Sequence, residues 1–209
     1  DFFSMEGYSI HPRESGNHVA GFVNRYLDCM MDDKPFIWIE YGMSVWDLCR
    51  GEPSQQGLAM QAETQAMIQR EALRNGAKGF SPWWWAGGFR VSERSDYGII
   101  NPDGSPRPST FVFEDYARLF KSSGEPPKPE MWYTLDRDSH PGGHAHFAYT
   151  EGASAYKDAV ARGKLLGVTT PGTGTTSADT PLLAVGNSVY NGKNPPKYLD
   201  AEFNWFMIK

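Results

Sequence analysis

Short apolar runs alternate with longer stretches in which apolar residues recur every three or four positions. This is the rhythm of successive β/α units. The run DFFSMEGYSI (1–10) has strand character, and residues 16–31 follow with Val19, Phe22, Val23, Tyr26, Leu27 and Met30 at helical spacing behind a candidate N-cap, Asn17. KPFIWIEYG (34–42) predicts a second strand. The stretch 54–76 then predicts a helix that opens on Ser54 as cap and closes on Gly76 in the position where helices end. AKGFSPWWWAGG (77–88) predicts a third strand, NPDG (101–104) has turn chemistry, and 109–122 predicts a third helix with an apolar face of Phe111, Phe113, Tyr116, Leu119 and Phe120. Three β/α units thus fill residues 1–121.

The pattern changes at 122–130, SSGEPPKPE, where Pro, Gly, Ser and charge concentrate as in an exposed linker. From 131 to 209 the strand-like pieces are short and separated by Gly, Pro, Asn and Thr, with one helix-like insert, GASAYKDAVARG. That region predicts a small, mainly β accessory domain of the sandwich kind, which packs as a module against the first part.

Composition narrows the function classes. Of 209 residues, 40% are hydrophobic and 14% aromatic, enough for a packed core and rich in flat side chains suited to sugar stacking. A formal charge of −5 supplies no basic field for a phosphate backbone, so nucleic acid is not an expected partner. No run approaches the roughly 18 apolar residues of a membrane span, so a membrane is not one either. The chain opens on Asp1 without initiator Met or leader, so its natural beginning is expected upstream and localisation, secreted or cytoplasmic, stays open. Cys29 and Cys49 are expected as two buried thiols, with a single bridge as the alternative.

The chemistry concentrates at strand ends. Glu40 closes an otherwise apolar strand, and a carboxylate there costs several kcal/mol unless it is hydrogen-bonded or paired. Catalysis is one reason to bear that cost; a structural pair with Arg13 or Arg90 is the other. Trp83, Trp84 and Trp85 cannot share one face of a strand, so one or two should turn toward the strand-end mouth, where an indole makes a platform for a sugar ring. Trp46, in the loop after the second strand, is a further candidate contact. Arg90, Glu93, Arg94 and Asp96, within RVSERSDYG, read either as a solvated charge cluster or as contacts to sugar hydroxyls, and Glu6 as a substrate hydrogen bond or a structural pair. His140, His144 and His146 stand close enough to suggest a metal, but no Cys or full acidic set completes a tetrahedral site, and none is expected. The Thr- and Gly-rich stretch 169–180 lacks the Lys of a phosphate-binding loop.

Together PFIWIEYG, EALRNGAKGF, GFSPWWWAGG and SDYGIINPDGSPRPS resemble the seventh and eighth units of the clan A glycoside hydrolases, the retaining (β/α)8-barrel glycosidases that include cellulases and β-galactosidases. The resemblance covers about the first 120 residues. It implies the last three units of a TIM barrel, with Glu40 as the nucleophile, an aromatic wall within Trp83–Trp85, and Tyr8 or His11 attending Glu40. It also implies a carbohydrate substrate and no cofactor. The clan's general acid/base, a Glu following an Asn on an earlier strand, has no counterpart here. A whole barrel takes roughly 250 residues, so the resemblance implies a missing N-terminal half that carries this acid/base, and an isolated chain without turnover. The competing expectation is a carbohydrate-binding or structural protein that keeps the fold without catalysis.

Overall fold

The computed structural model describes residues 2–8, 10, 16–30, 34–125, 128–135, 148–169, 183–185 and 188–190. Three parallel strands, β1 (Phe3–Gly7), β2 (Phe36–Tyr41) and β3 (Gly79–Phe80), form a sheet with β2 in the middle. Helix α1 (Gly16–Met30) joins β1 to β2, α2 (Gln55–Arg74) joins β2 to β3, and α3 (Pro108–Ser122) follows β3. These are the three expected units.

One face of the sheet is packed against helices. Phe36, Trp38 and Tyr41 of β2 are fully buried among Val19, Phe22 and Tyr26 of α1 and Met67, Ile68 and Ala72 of α2. Each large side chain there contributes roughly 1.5–3 kcal/mol through removal from water. The Trp38 and Tyr41 polar atoms that this burial carries inward find partners. Trp38 Nε1 donates to Asn24 Oδ1 at 2.9 Å, and the Tyr41 hydroxyl accepts from Gln69 Nε2 at 2.9 Å.

Helix α2 ends as its sequence signals. Ser54 Oγ accepts the Gly57 N–H at 2.9 Å, and Gly76, at φ +97°, takes the left-handed conformation past Asn75. Helix α1 already includes Gly16, which places Asn17 inside it rather than at its cap. Helix α3 starts on Pro108, whose missing N–H costs nothing at the first turn. Only part of its expected apolar face is covered: Phe113 and Phe120 meet Phe80 edge-on at 4.8 and 4.7 Å, whereas Phe111 and Leu119 are 55% and 48% exposed.

Beyond α3 the described arrangement differs from the expected sandwich. Strands β4 (Met131–Thr134) and β5 (Leu166–Thr169) pair in parallel, with a π-helical turn (Ala148–Gly152) and helix α4 (Ala153–Ala161) between them in the chain. A parallel pair needs a crossover, and the GASAYKDAVARG segment supplies it as α4. Leu135, Tyr156, Leu166 and Val168 join the same hydrophobic core as α1 and β2. Arg25, buried in α1, reaches across to donate through Nε to the Leu166 carbonyl at 2.6 Å. Among the described residues antiparallel pairing after the linker occurs in the hairpin of β6 (Leu183–Val185) and β7 (Ser188–Tyr190). His140, His144, His146 and residues 170–180 lie outside the described residues.

Both cysteines are free thiols: Cys29 is buried and accepts the Val168 N–H at 3.3 Å, while Cys49 is exposed. The expectation of two buried thiols fails at Cys49 because it sits in the turn of a small ribbon between β2 and α2, where Trp46–Asp47 pairs with Glu52–Pro53. Among the described residues no helix is long and apolar enough to cross a membrane, and no group of His, Cys, Asp and Glu is arranged to hold a metal.

Candidate functional site

Glu40 stands at the carboxyl end of the central strand, and a register shift decides which way it faces. Met5 pairs with Trp38 and Glu6 with Glu40, so β2 carries one extra residue, Ile39, at this point. Strict alternation would place Glu40 on the face of Trp38, against the helices. The bulge instead gives the burial order buried, half-buried, buried, exposed, half-buried, buried along 36–41. Glu40 therefore joins Ile37 and Ile39 on the open face, where Ile39 is 40% exposed, and Tyr41 turns back into the core.

Tyr8, immediately past β1, donates its hydroxyl to Glu40 Oε1 at 2.5 Å. Burial, and then this bond to a carboxylate, push the Tyr8 hydroxyl far above the ordinary phenol range. Tyr8 is a fixed proton donor to Glu40. Its ring meets Tyr97 edge-on at 5.7 Å, and the Tyr97 hydroxyl is raised by burial and by the charge of Glu93. Glu6, the register partner of Glu40, has its carboxyl raised by partial burial first and by the Glu40 charge second.

The tryptophans do not continue a strand. Strand β3 ends at Phe80, and Trp83–Trp85 follow in irregular chain held by backbone bonds: Trp83 N–H to the Tyr41 carbonyl at 2.7 Å, and Trp84 N–H to the Tyr97 carbonyl at 3.2 Å. Trp83 is thus tied to the residue next to Glu40. The alternation expected for a strand does not apply here. Trp83 and Trp84 are half-buried with rings 5.2 Å apart, while Trp85 is 61% exposed. The Arg90 guanidinium lies over both half-buried indoles, 4.1 Å from the Trp84 centroid and 5.2 Å from that of Trp83, and pairs with Glu93 at 3.0 Å. Arg90 is therefore engaged with indoles and Glu93. Trp46, on the ribbon, packs against Phe89 with ring centroids 4.5 Å apart. His11 and Arg13 lie outside the described residues.

Asp96, expected in a solvated or sugar-binding charge cluster, is instead buried and clamps this segment together with Arg107, a residue the sequence does not single out. Arg107, fully buried, grips Asp96 with two bonds of 3.1 and 2.7 Å and also donates to the Gly98 carbonyl at 2.6 Å and Asn101 Oδ1 at 2.9 Å. Gln61 of α2 donates to the carbonyls of Met43, Tyr97 and Gly98. A side chain at Gly42 would meet the Trp83 carbonyl at 2.2 Å, so the chain after Glu40 and the indole segment touch backbone to backbone. The only signal in the sequence was the density of Gly, Asp and Arg in SDYGIINPDGSPRPS.

No family model and no curated protein matches the chain. Solved structures do. A GH5_18 enzyme from Bifidobacterium longum subsp. longum, in complex with Manb1-4GlcNAc, aligns with TM-score 0.59 and 14% identity over 82% of this chain and 43% of its own. The β-galactosidase of the haloarchaeon Halorubrum lacusprofundi aligns with TM-score 0.59 and 15% identity over 83% of this chain and 28% of its own. A cold-adapted β-galactosidase from Rahnella gives 0.58 and 16% over 81% and 27%. The chain therefore spans about two-fifths of the first and little more than a quarter of the others. Residues 1–121 alone could not supply these shares of the chain, so the likeness extends past the linker.

Parallel strands, interleaved helices and a carboxylate at the carboxyl end of the central strand define part of a β/α barrel. Over the aligned residues the fold is like that of part of these glycoside hydrolase structures.

Proposed function

We propose that this chain is the nucleophile-bearing part of a retaining glycoside hydrolase that cleaves an O-glycosidic bond of an oligo- or polysaccharide by double displacement. The observation that carries the reading is Glu40 itself: a bulge turns it out of the core at the carboxyl end of the middle strand, and a half-buried tyrosine hydroxyl donates to it. Strand ends of this kind bear the reacting groups of β/α barrels. In the first step Glu40 attacks the anomeric carbon, the bond to the leaving oxygen breaks, and a second carboxyl group protonates that oxygen. Water, activated by the same second group, then attacks the glycosyl ester and releases Glu40. The Tyr8 hydroxyl holds the Glu40 carboxylate in place for attack and bonds to it again on release.

A retaining mechanism sets the two carboxyl groups roughly 5–5.5 Å apart. In this reading the second comes from residues outside the 209, in line with the partial span of the solved neighbours, and the isolated chain lacks turnover. Trp83 and Trp84 would face the sugar, with Arg90 and Glu93 fixing the indoles, and Trp46 with Phe89 would offer a separate aromatic surface along the mouth. The neighbour bound to Manb1-4GlcNAc supports a carbohydrate substrate here too.

The test is Glu40→Gly in the full-length protein, assayed on a panel of activated aryl glycosides with and without azide. Loss of turnover, with azide restoring it as a glycosyl azide of inverted configuration, is the expected outcome. A variant that keeps its rate would move the reading to a carbohydrate-binding protein without catalysis.

A further inference from the structure

The segment Glu6-Gly7-Tyr8 surrounds Glu40 with two side chains of opposite effect, and only Tyr8 has a role so far. Glu6 is the direct register neighbour of Glu40 across the β1–β2 pairing. Met5 packs on the helix-side core, so alternation along β1 turns Glu6 to the open face that the bulge gives to Glu40. Gly7 fixes the closeness of the two strands, because a Cβ there would strike the Trp38 ring at 2.8 Å. Among the described residues these two carboxyl groups thus share one face with one hydroxyl donor, Tyr8, which donates to Glu40. Among the described residues no donor reaches Glu6.

We propose that Glu6 is a positioning residue that acts through Glu40: from its place on the neighbouring strand its carboxyl sets the charge beside Glu40 on the open face. This rests on the glycosidase reading for its consequence in catalysis, but the coupling itself does not. Like charges on neighbouring strands resist simultaneous ionisation, so one member loses its proton first and the other later. The Glu6 carboxyl is the one displaced upward, by burial and then by Glu40, while the Tyr8 hydroxyl donates to Glu40 and not to Glu6. Among the described residues the titratable groups that act on Glu6 are Glu40 on β2 and Tyr8 beyond β1; Tyr97, with Glu93 behind it, reaches Tyr8 from the indole segment. When Glu6 ionises in turn, a second negative charge faces the cationic sugar of the transition state and raises the rate.

Two measurements on the full-length protein decide this. Carbon-13 detection of labelled glutamate carboxyls should show Glu6 titrating above the ordinary glutamate range and returning toward it in Glu40→Gln. In the pH profile of kcat/KM, Glu6→Gln should keep the lower inflection, lose the upper one, and lower the plateau roughly tenfold, the order expected for a unit charge about 5 Å away in partly screened surroundings. Glu6→Asp should keep the upper inflection, and unchanged thermal melting confirms that the variants fold. A Glu6 carboxyl that titrates ordinarily, or does not respond to Glu40→Gln, overturns the proposal even if Glu40 is the nucleophile. If Glu40→Gly keeps its rate the glycosidase reading fails, and the carbon-13 titration still decides Glu6 by itself.

Discussion

Replacing Asp96 by Ala should destabilise the protein more than any other single change at the rim of the site. Arg107 and Asp96 are each about 1% exposed, so the pair is wholly removed from water. Arg107 makes four hydrogen bonds, two of them to the Asp96 carboxylate and two to neutral oxygens of Gly98 and Asn101. Removing the carboxylate leaves a buried guanidinium with only the neutral acceptors and frees the Gly98 N–H, which Asp96 Oδ1 accepts at 3.0 Å. Breaking one side of a buried pair costs about 3–5 kcal/mol. For a chain of this size that corresponds to a fall in Tm of roughly 6–20 °C. The assay is urea unfolding followed by tryptophan fluorescence, since Trp83 and Trp84 hang on the clamped segment and should report its release early. Adding Arg107→Met to the variant removes the stranded charge and should restore a large part of the loss. A cost below about 1 kcal/mol for Asp96→Ala, or no recovery in the double variant, would refute the reasoning.

Two further outcomes follow from the geometry. Tyr8→Phe removes a charge-assisted hydrogen bond worth about 1.5–3 kcal/mol, so kcat/KM of the full-length protein should fall roughly ten- to hundredfold; an unchanged rate would mean that Tyr8 does not serve Glu40. His18 is held below its ordinary value by burial, then by Lys157, against a smaller opposing effect of Glu71. The unfolded chain thus binds a proton that the folded chain resists, so stability falls as pH drops below about 6.5. His18→Gln should flatten that fall in denaturant midpoints measured between about pH 5 and 7.5, and an equally steep fall would remove His18 from the account.

The three β/α units were legible because each carried a periodic signal over many residues and clear punctuation. Ser54 and Gly76 bound α2 by the chemistry expected of a cap and a left-handed terminus. Glu40 was legible as a charge at the end of an apolar strand, and Tyr8 as its attendant only through the family resemblance. The bulge at Ile39 was not, since it depends on the pairing partner and leaves no mark in the alternation of one strand. The indole segment misled for a related reason: an unbroken aromatic run looks like strand, but Pro82 and the clamp of Asp96 on Arg107 shape it as loop. Past the linker, short apolar pieces gave no clue to parallel or antiparallel pairing, because that choice rests on the helix between them. That helix was visible in the sequence, yet its meaning as a crossover was not drawn. Phe111 and Leu119 matched helical spacing and still face outward, since spacing selects a face of α3 but not what covers it.

The central claim, that Glu40 attacks the anomeric carbon, is tested most directly by trapping the covalent intermediate. The full-length protein would be treated with activated 2-deoxy-2-fluoro glycosides, whose fluorine slows release of the glycosyl ester, then digested and sequenced by mass spectrometry. The account predicts a glycosyl adduct on the peptide that contains PFIWIEYG, located at Glu40. A stable adduct on any other carboxylate, with Glu40 unmodified, would contradict it.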